Sequence, residues 1–462
     1  MRHAKIIEDF KRFVSSVFYR SRTEKNAIYS IFMKIAMFTD AYFPRINGVS
    51  VSVRSYATEV SKLGHEVWVV CPEYTEEQQK SALFDEKSND GESPFKVMRI
   101  PSTRIIFSRE DRMGRIDMWH RIKREMDLFR PDVIHVNSEW TVGYFGEMYA
   151  HHRKIACVFT FHTMWEDYLE NYVPILPAHS LRKIGRSVVR FFLKRADVIV
   201  APTKRIENVA RNYGVQNTVH VIPTGIPDGA PFSFQRSIQV SSRLFKKYPH
   251  LKGKRILLFV GRIVKEKNLP FLFDVLEIVI KKLPKTALLF VGGGPFLEEL
   301  SQIASSRGLS QYVAFPGYMK SEDLIYFYKL ASVFVFPSKT ETQGLVTLEA
   351  MVASLPVVAI GELGTVDVMQ GDHGGFMVKD DVNEFSEKVL QLLNDQNLRK
   401  RKSKEAAEWG GKWRISALTP LLLSCYEEAI KSKIPAEAAE AGYDEFENEF
   451  NAELGLESSN GI

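Results

Sequence analysis

A chain of 462 residues, 45% hydrophobic and 26% charged, is too long for one ordinary core and too apolar for wholesale disorder, so two or three domains fit. The formal charge is +6, yet residues 435–462 carry eight acids and no Lys or Arg; the rest holds a balance of +14, which suits an anionic partner such as a phosphate ligand, nucleic acid or an anionic membrane. No run nears eighteen consecutive apolar residues, no signal-peptide pattern opens the chain, and three scattered cysteines (Cys71, Cys157, Cys425) exclude a disulfide framework or a Cys-rich zinc module and suit a reducing compartment.

Residues 1–32 form a basic N-terminal extension, with seven Lys/Arg against Glu8, Asp9 and Glu24. At Met33, a second candidate start beside Met1, a regular alternation begins. Lys34–Thr39 reads as a short apolar strand, Asp40–Gly48 as a loop, Val49–Leu63 as a helix stopped by Gly64, and Glu66–Val70 as the next strand. Asp132–Val136, Cys157–Phe161, Asp197–Ala201 and Val219–Ile222 continue the series. Strands of four to six residues, apolar on both faces and separated by helical stretches, predict a parallel sheet covered by helices. A Pro/Gly-rich break, Pro223–Gly229, and a charged helix-like stretch follow. Then Arg255–Val260 opens a second series with Ala287–Val291, Val313–Phe315, Val333–Phe336 and Val357–Ile360. The predicted architecture is α/β with two Rossmann-like, doubly wound domains facing a cleft: an acceptor domain over 33–222, an interdomain linker over 223–252 and a donor domain over 253–410. A C-terminal helix over 411–434 and an acidic, disordered tail over 435–462 complete it. In such sheets ligands sit beyond the carboxyl ends of the strands, so the loops there carry the search.

In Arg255–Asn268 (RILLFVGRIVKEKN) a strand ends in Gly261, and Arg262 and Lys267 follow. Glycine admits close backbone approach and two cations suit a diphosphate, although a solvated loop has the same composition. Ala287–Pro295 (ALLFVGGGP) is a glycine turn. Gly292 and Gly294 fit a dinucleotide fingerprint but Leu297 occupies its third position, which disfavours nicotinamide or flavin. Phe334–Ala350 (FVFPSKTETQGLVTLEA) is the richest segment. Glu341 and Glu349 would be about 80° apart on one continuous helix. Gly344 instead suggests that Glu341 lies in the loop and Glu349 just inside the helix, with the Gly344, Leu345 and Val346 amides forming an anion site at the helix N-terminus. His162 directly follows a buried strand, and Gly48 stands where a helix begins. No D-x-D, H-x-x-x-H or C-x-x-C pattern supports a chelated metal.

Together GRIVKEKN, the E-x7-E of Glu341 and Glu349, FTDAYFPRINGVSVSV and FTFHTMWEDYL resemble the family-four glycosyltransferases, retaining nucleotide-sugar enzymes of the GT-B fold, from about Met33 to Ile430. The ING-V loop, HTMWEDY and ETQGLV look most like bacterial enzymes that glucosylate diacylglycerol, and next most like mannosyl- and sulfoquinovosyl-transferases acting on lipids. One departure is Asn137 in HVNSEW, where relatives often carry a histidine. The resemblance implies that Arg262 and Lys267 bind the donor diphosphate, Glu341 the sugar hydroxyls and Glu349 the ribose. Gly48 and the Gly344–Val346 amides would touch phosphate, His162 would lie between donor sugar and acceptor, and Gly292, Gly294, Tyr318 and Met319 would flank the base. It further implies hexosyl transfer from a nucleotide sugar, UDP-glucose before GDP-mannose, to a lipid such as 1,2-diacylglycerol, with no cofactor or metal required.

A separate expectation concerns membranes. Ser180–Arg205 holds eight basic residues and one acid, with Lys183, Arg186, Arg190 and Lys194 on one helix face and Val189, Phe192 and Leu193 nearby. Such a helix suits an anionic lipid surface and a cytoplasmic protein held peripherally at the inner face of the cell membrane. The competing readings are a GDP-mannose-dependent transferase and a non-catalytic scaffold that binds membrane. No nucleic-acid-binding module is recognisable.

Overall fold

The computed structural model describes residues 32–45, 47–75, 90–105, 111–162, 178–228, 233–319, 321–341 and 344–434. Most of the basic extension, the acidic tail and all of the HTMWEDY stretch after His162 lie outside the described residues. The chain divides into two units, one running up to Ile222 and resuming at Thr419, the other spanning Pro223–Leu418.

The first unit contains β1 (Lys34–Phe38), α1 (Gly48–Lys62), β2 (Glu66–Pro72), β3 (Lys96–Ile100), β4 (Ser102–Arg104), β5 (Arg112–Gly114), α2 (Trp119–Phe129) and β6 (Val133–Val136). It continues with α3 (Thr141–Arg153), β7 (Ala156–Thr160), α4 (Ala178–Arg195), β8 (Val198–Ala201), α5 (Lys204–Asn212) and β9 (Thr218–Val221). Seven strands pair in the order β3-β2-β1-β6-β7-β8-β9, every pair parallel. The central strands are buried along their whole length, which is why they read as continuous apolar runs. Phe38, Val136 and Phe159 pack with Phe145 of α3 and with Phe192 and Leu193 of α4. Strand β3 escaped the sequence reading because KVMRI, at the sheet edge, is only partly buried and carries two cations, and the β4–β5 hairpin is only three residues per arm.

The second unit holds α6 (Phe234–Lys247), β10 (Arg255–Val260), α7 (Phe271–Lys282), β11 (Thr286–Val291), α8 (Leu297–Ser306), β12 (Val313–Gly317), α9 (Ser321–Leu330) and β13 (Val333–Phe336). Then come α10 (Leu345–Val352), β14 (Val357–Ile360), α11 (Gly364–Met369), β15 (Gly375–Val378), α12 (Val382–Asn394), α13 (Gln396–Gly411) and the start of α14 (Ile415–Lys431). Its sheet is six-stranded and parallel in the order β12-β11-β10-β13-β14-β15. Stacked rings of Phe259, Phe334 and Phe336 fill its centre.

Two expected boundaries shift. Residues 223–252 are no linker: α6 buries Val240 and Leu244, and Leu251 is fully buried, all in the core of the second unit. The C-terminal helix α14 begins in the second unit and from Thr419 onward belongs to the first, where Tyr426 and Cys425 are buried. Neither feature has a local signature, because the pairing is set by packing partners far away in sequence. Among the described residues no helix is long and apolar enough to cross a membrane.

Candidate functional site

Each sheet reverses its strand order beside its first strand: β1 lies between β2 and β6, and β10 between β11 and β13. The loops leaving those central strands diverge there, so a crevice opens at the carboxyl ends. Gly48, Arg262 and Lys267 follow those central strands, and Gly292, Gly294 and Glu341 follow the neighbouring β11 and β13.

In the second unit, the loop after β10 carries Arg262 and Lys267, and the loop after β13 carries Glu341. Lys267 Nζ donates to Glu341 Oε2 at 2.8 Å, with the two side chains 14% and 20% exposed, so the pair spans the reversal point while staying reachable. Arg262, earlier in the same loop as Lys267, is exposed. The Glu341 carbonyl accepts from Gly364 N at 2.8 Å, and Asn268 Nδ2 donates to the Pro337 carbonyl at 3.4 Å, tying the loop to its neighbours. Gly344 adopts the left-handed conformation (φ 63°) that ends the loop and starts α10 without a side-chain cap. The first intrahelical bonds run from Thr347 and Leu348 to the Gly344 carbonyl, leaving the Leu345 and Val346 amides ahead of the ladder.

Glu349 lies one turn into α10 and half-buried, as the Gly344 break implied. Tyr328 of α9, a residue that no sequence signal marked, donates its hydroxyl to Glu349 Oε2 at 2.7 Å. Burial raises the Glu349 carboxyl above its ordinary range, and the tyrosine bond partly offsets the rise. The glycine turn after β11 packs directly on the loop after β10. Ile263 N donates to the Gly293 carbonyl at 2.9 Å and Gly292 N to the Gly317 carbonyl at 2.9 Å. A Cβ on Gly292 would stand 1.9 Å from the Gly261 carbonyl oxygen, at φ 144°, so this glycine is required for loop packing whatever it binds. Gly294 is equally confined, 2.3 Å from the Ile263 carbonyl oxygen by the same construction. Tyr318, which follows β12, is 63% exposed, and Met319 packs partly against the core.

In the first unit the loop after β1 leads to α1. Gly48 is the first helical residue, one position before the expected helix start at Val49. Asn47 is the cap, in a capping box in which Ser50 N donates to Asn47 Oδ1 at 2.8 Å and Asn47 N to Ser50 Oγ at 2.9 Å. A Cβ on Gly48 would meet nothing within 4 Å. Asp40, not singled out from sequence, occupies the reversal point. Its carboxylate accepts from Ser138 Oγ at 2.6 Å, Val142 N at 2.9 Å and Gly143 N at 3.1 Å, clamping the N-terminus of α3. Burial raises its pKa, and those bonds pull it back. His162, two residues beyond β7, is half-buried with Nε2 3.3 Å from Asn137 Oδ1, and burial pushes it down to about 4.

The basic helix is real but differs in its faces. Val189, Phe192 and Leu193 face the core rather than a surface. Arg186 is committed to the Asn212 carbonyl at 3.0 Å and to the Tyr213 ring. Lys183, Arg190 and Lys194 remain exposed, and the exposed apolar residues beside them are Ile184, Val188 and Phe191 at 49%, 39% and 37%.

The sequence profile described as Glycosyltransferase Family 4 matches residues 46–229, and that described as Glycosyl transferases group 1 matches residues 240–409. The chain is 31% identical over 332 residues to an alpha-monoglucosyldiacylglycerol synthase of Streptococcus pneumoniae, covering 71% of each protein. It is 29% identical to the enzyme of that name from Acholeplasma laidlawii, covering 76% of this chain and 86% of the relative. Among solved structures, a glycosyltransferase of Rickettsia africae aligns with TM-score 0.66 at 16% identity over 87% of this chain and 99% of its own. Anabaena HepE, solved with UDP, aligns with TM-score 0.64 at 15% identity over 85% and 98%. Two parallel α/β sheets, both strand-reversal loops and these matches over both halves place the chain among the glycosyltransferases of family 4, with the GT-B fold.

Proposed function

We propose that this glycosyltransferase moves a hexosyl group, glucose from UDP-glucose, with retention of anomeric configuration, to the hydroxyl of a membrane lipid such as 1,2-diacylglycerol. The observation that carries the reading is the Lys267–Glu341 pair at the strand-reversal point of the second sheet, in the loop that leads to α10, whose N-cap Gly344 has no side chain to cap the first amides. On this reading the cation and the first amides of α10 hold the diphosphate, and the carboxylate takes the sugar hydroxyls. Arg262, Lys267 and the Gly344–Val346 amides stabilise charge as the diphosphate departs. The acceptor hydroxyl attacks from the same face and a leaving phosphate oxygen takes its proton. Glu341 is no nucleophile in this scheme: Lys267 already holds Oε2, which lowers its reactivity. Glu349, fixed by Tyr328, binds the ribose, Gly292, Gly294, Tyr318 and Met319 border the base, and Gly48 and His162 serve from the first unit. Charge neutralisation by these groups needs no metal.

Lipid acceptors are supported by the relatives, glucosyldiacylglycerol synthases of two bacteria and a sulfoquinovosyl transferase of Arabidopsis thaliana. The membrane contact is assigned to α4, where Lys183, Arg190 and Lys194 would meet anionic headgroups with Ile184, Val188 and Phe191 at the acyl boundary; Arg186 contributes from its tethered position. On this reading the protein is held peripherally at the cytoplasmic face of the cell membrane; no helix among the described residues is long and apolar enough to cross it.

The test is an activity matrix of UDP-glucose and GDP-mannose against vesicles with and without diacylglycerol, followed by product linkage analysis. An α-linked glucosyl lipid from UDP-glucose is expected; turnover with GDP-mannose alone would transfer the assignment to a mannosyltransferase. Vesicle flotation tests the membrane part. Binding to anionic vesicles that Ile184→Asp with Val188→Asp abolishes is expected, and equal partitioning to neutral vesicles overturns electrostatic docking.

A further inference from the structure

We propose that Asn137 is a positioning residue that fixes the ring tautomer of His162, so that the imidazole presents Nδ1 as a hydrogen-bond acceptor to a hydroxyl of the reacting sugar or acceptor. The chemical use of that lone pair rests on the transferase reading above; the tautomer itself does not.

Strands β6 and β7 are parallel neighbours in the register Val136↔Phe159, so Asn137 comes level with Thr160 and close to His162. Asn137 is 3% exposed, and its side-chain amide has two neighbours of fixed character. One is the His135 carbonyl, 3.2 Å from Nδ2. A carbonyl only accepts, so the amide nitrogen must face it. That leaves Oδ1 toward His162 Nε2 at 3.3 Å. An amide oxygen also only accepts, so a neutral His162 must carry its proton on Nε2, with the lone pair on Nδ1. Among the described residues Nδ1 has no hydrogen-bond partner. Burial keeps the ring neutral at ordinary pH, so the tautomer, not the charge, determines what His162 offers.

The frame that holds Asn137 is itself braced. The His135 ring lies between Tyr426 Oη at 2.8 Å and Thr160 Oγ1 at 2.7 Å, joining α14 to the ends of β6 and β7. His162 N donates to the Thr160 carbonyl at 3.1 Å. Both partners of the Asn137–His162 bond are therefore anchored through their own backbones, which allows a single amide to impose the tautomer.

The experiment is long-range ¹H–¹⁵N NMR of the full chain labelled at histidine, without ligand, at pH 7.5. His162 is identified by the signals lost in His162→Gln, among the 11 histidines. The expected result is His162 wholly in the Nε2–H form, becoming a mixture of tautomers in Asn137→Leu and in the smaller Asn137→Ser. A wild-type His162 in the Nδ1–H form overturns the proposal without any variant, and so does an unchanged tautomer in a folded Asn137 variant. In the glucosyl-transfer assay both variants should lose about tenfold in kcat at unchanged donor KM, the rate equivalent of one hydrogen bond. A shifted tautomer with full turnover overturns the catalytic use of Nδ1. Absence of transfer by the wild-type chain from any donor overturns the transferase reading and leaves the tautomer result standing.

Discussion

Both sheets reverse strand order beside their first strand, and both put a carboxylate there, yet Asp40 and Glu341 lead different lives. Asp40 is 6% exposed and spends its lone pairs on two hydroxyls, of Ser138 and Thr141, and on two backbone amides of α3. Glu341 stands in a reachable loop and is held by one lysine. The first arrangement is saturated: its partners have no other role, so the acid is a clamp. The second is open: under the proposed function a bound diphosphate would share Lys267, and sugar hydroxyls would share Glu341. One topology thus yields a fixed hinge-pin in one unit and an exchangeable charge pair in the other. The difference lies in whether the acid's partners are backbone amides or a mobile cation.

The largest expected effect breaks the open pair. Lys267→Ala removes the cation from the departing diphosphate and should lower kcat by about 10²- to 10³-fold, read by steady-state kinetics with UDP-glucose. Glu341→Gln should lower kcat far more than donor affinity, and a variant with full turnover would remove Glu341 from the site. Neither change should shift the unfolding midpoint much, since the pair is partly solvated.

Breaking the clamp should do the opposite. Asp40→Asn replaces one acceptor oxygen by a donor facing backbone N–H or hydroxyl groups, so it should cost about 1–3 kcal/mol in urea unfolding. If Asp40→Asn keeps full stability while abolishing turnover, the acid belongs to the chemistry and the contrast drawn here fails.

Acidity sharpens the comparison at smaller scale. Burial holds His135 down to about 3 and His162 down to about 4, both below an unfolded imidazole. As pH falls below about 6.5 the unfolded chain takes up these protons first, so stability declines towards pH 4, by at most about 1.4 kcal/mol per pH unit for each ring. Asp40 and Glu349 work in the other direction, because burial raises them and the native chain protonates first. In urea titrations between pH 7.5 and 5, His135→Gln should flatten the decline; an unchanged slope would show that His135 does not titrate this way.

The smallest effect concerns the two kinds of glycine. Gly48 has open space where a Cβ would go, so Gly48→Ala should leave unfolding within about 0.5 kcal/mol of wild type. Weaker donor binding in that stable variant would indicate a phosphate lying against the backbone; unchanged binding would remove Gly48 from the site. Gly292, pressed on the Gly261 carbonyl, permits no such clean separation.

Much of this was legible in the amino-acid order. Fully buried strands announce themselves as apolar runs, so β1, β6, β7, β10, β11 and β13 were found within a residue or two. The Gly344 break placed Glu341 in a loop and Glu349 in a helix, because a left-handed residue must end one element before the next begins. The edge strands β3 and β15 were missed for the converse reason: both are only partly buried, KVMRI carries two cations, and GFMV opens on glycine and has a single β-branched residue.

What the order of residues determined, then, was the alternation of strand and helix, the sites of glycine and the supply of cations, since each follows from local chemistry. What only the tertiary structure decided was partnership: that α6 is core and not linker, that Val189, Phe192 and Leu193 turn inward, that Tyr328 seizes Glu349, and that Asp40 and Asn137 are buried polar anchors. A buried polar side chain looks like any surface one in a sequence; its role appears only when residues about a hundred positions away, as Ser138 is from Asp40, are brought within hydrogen-bonding distance.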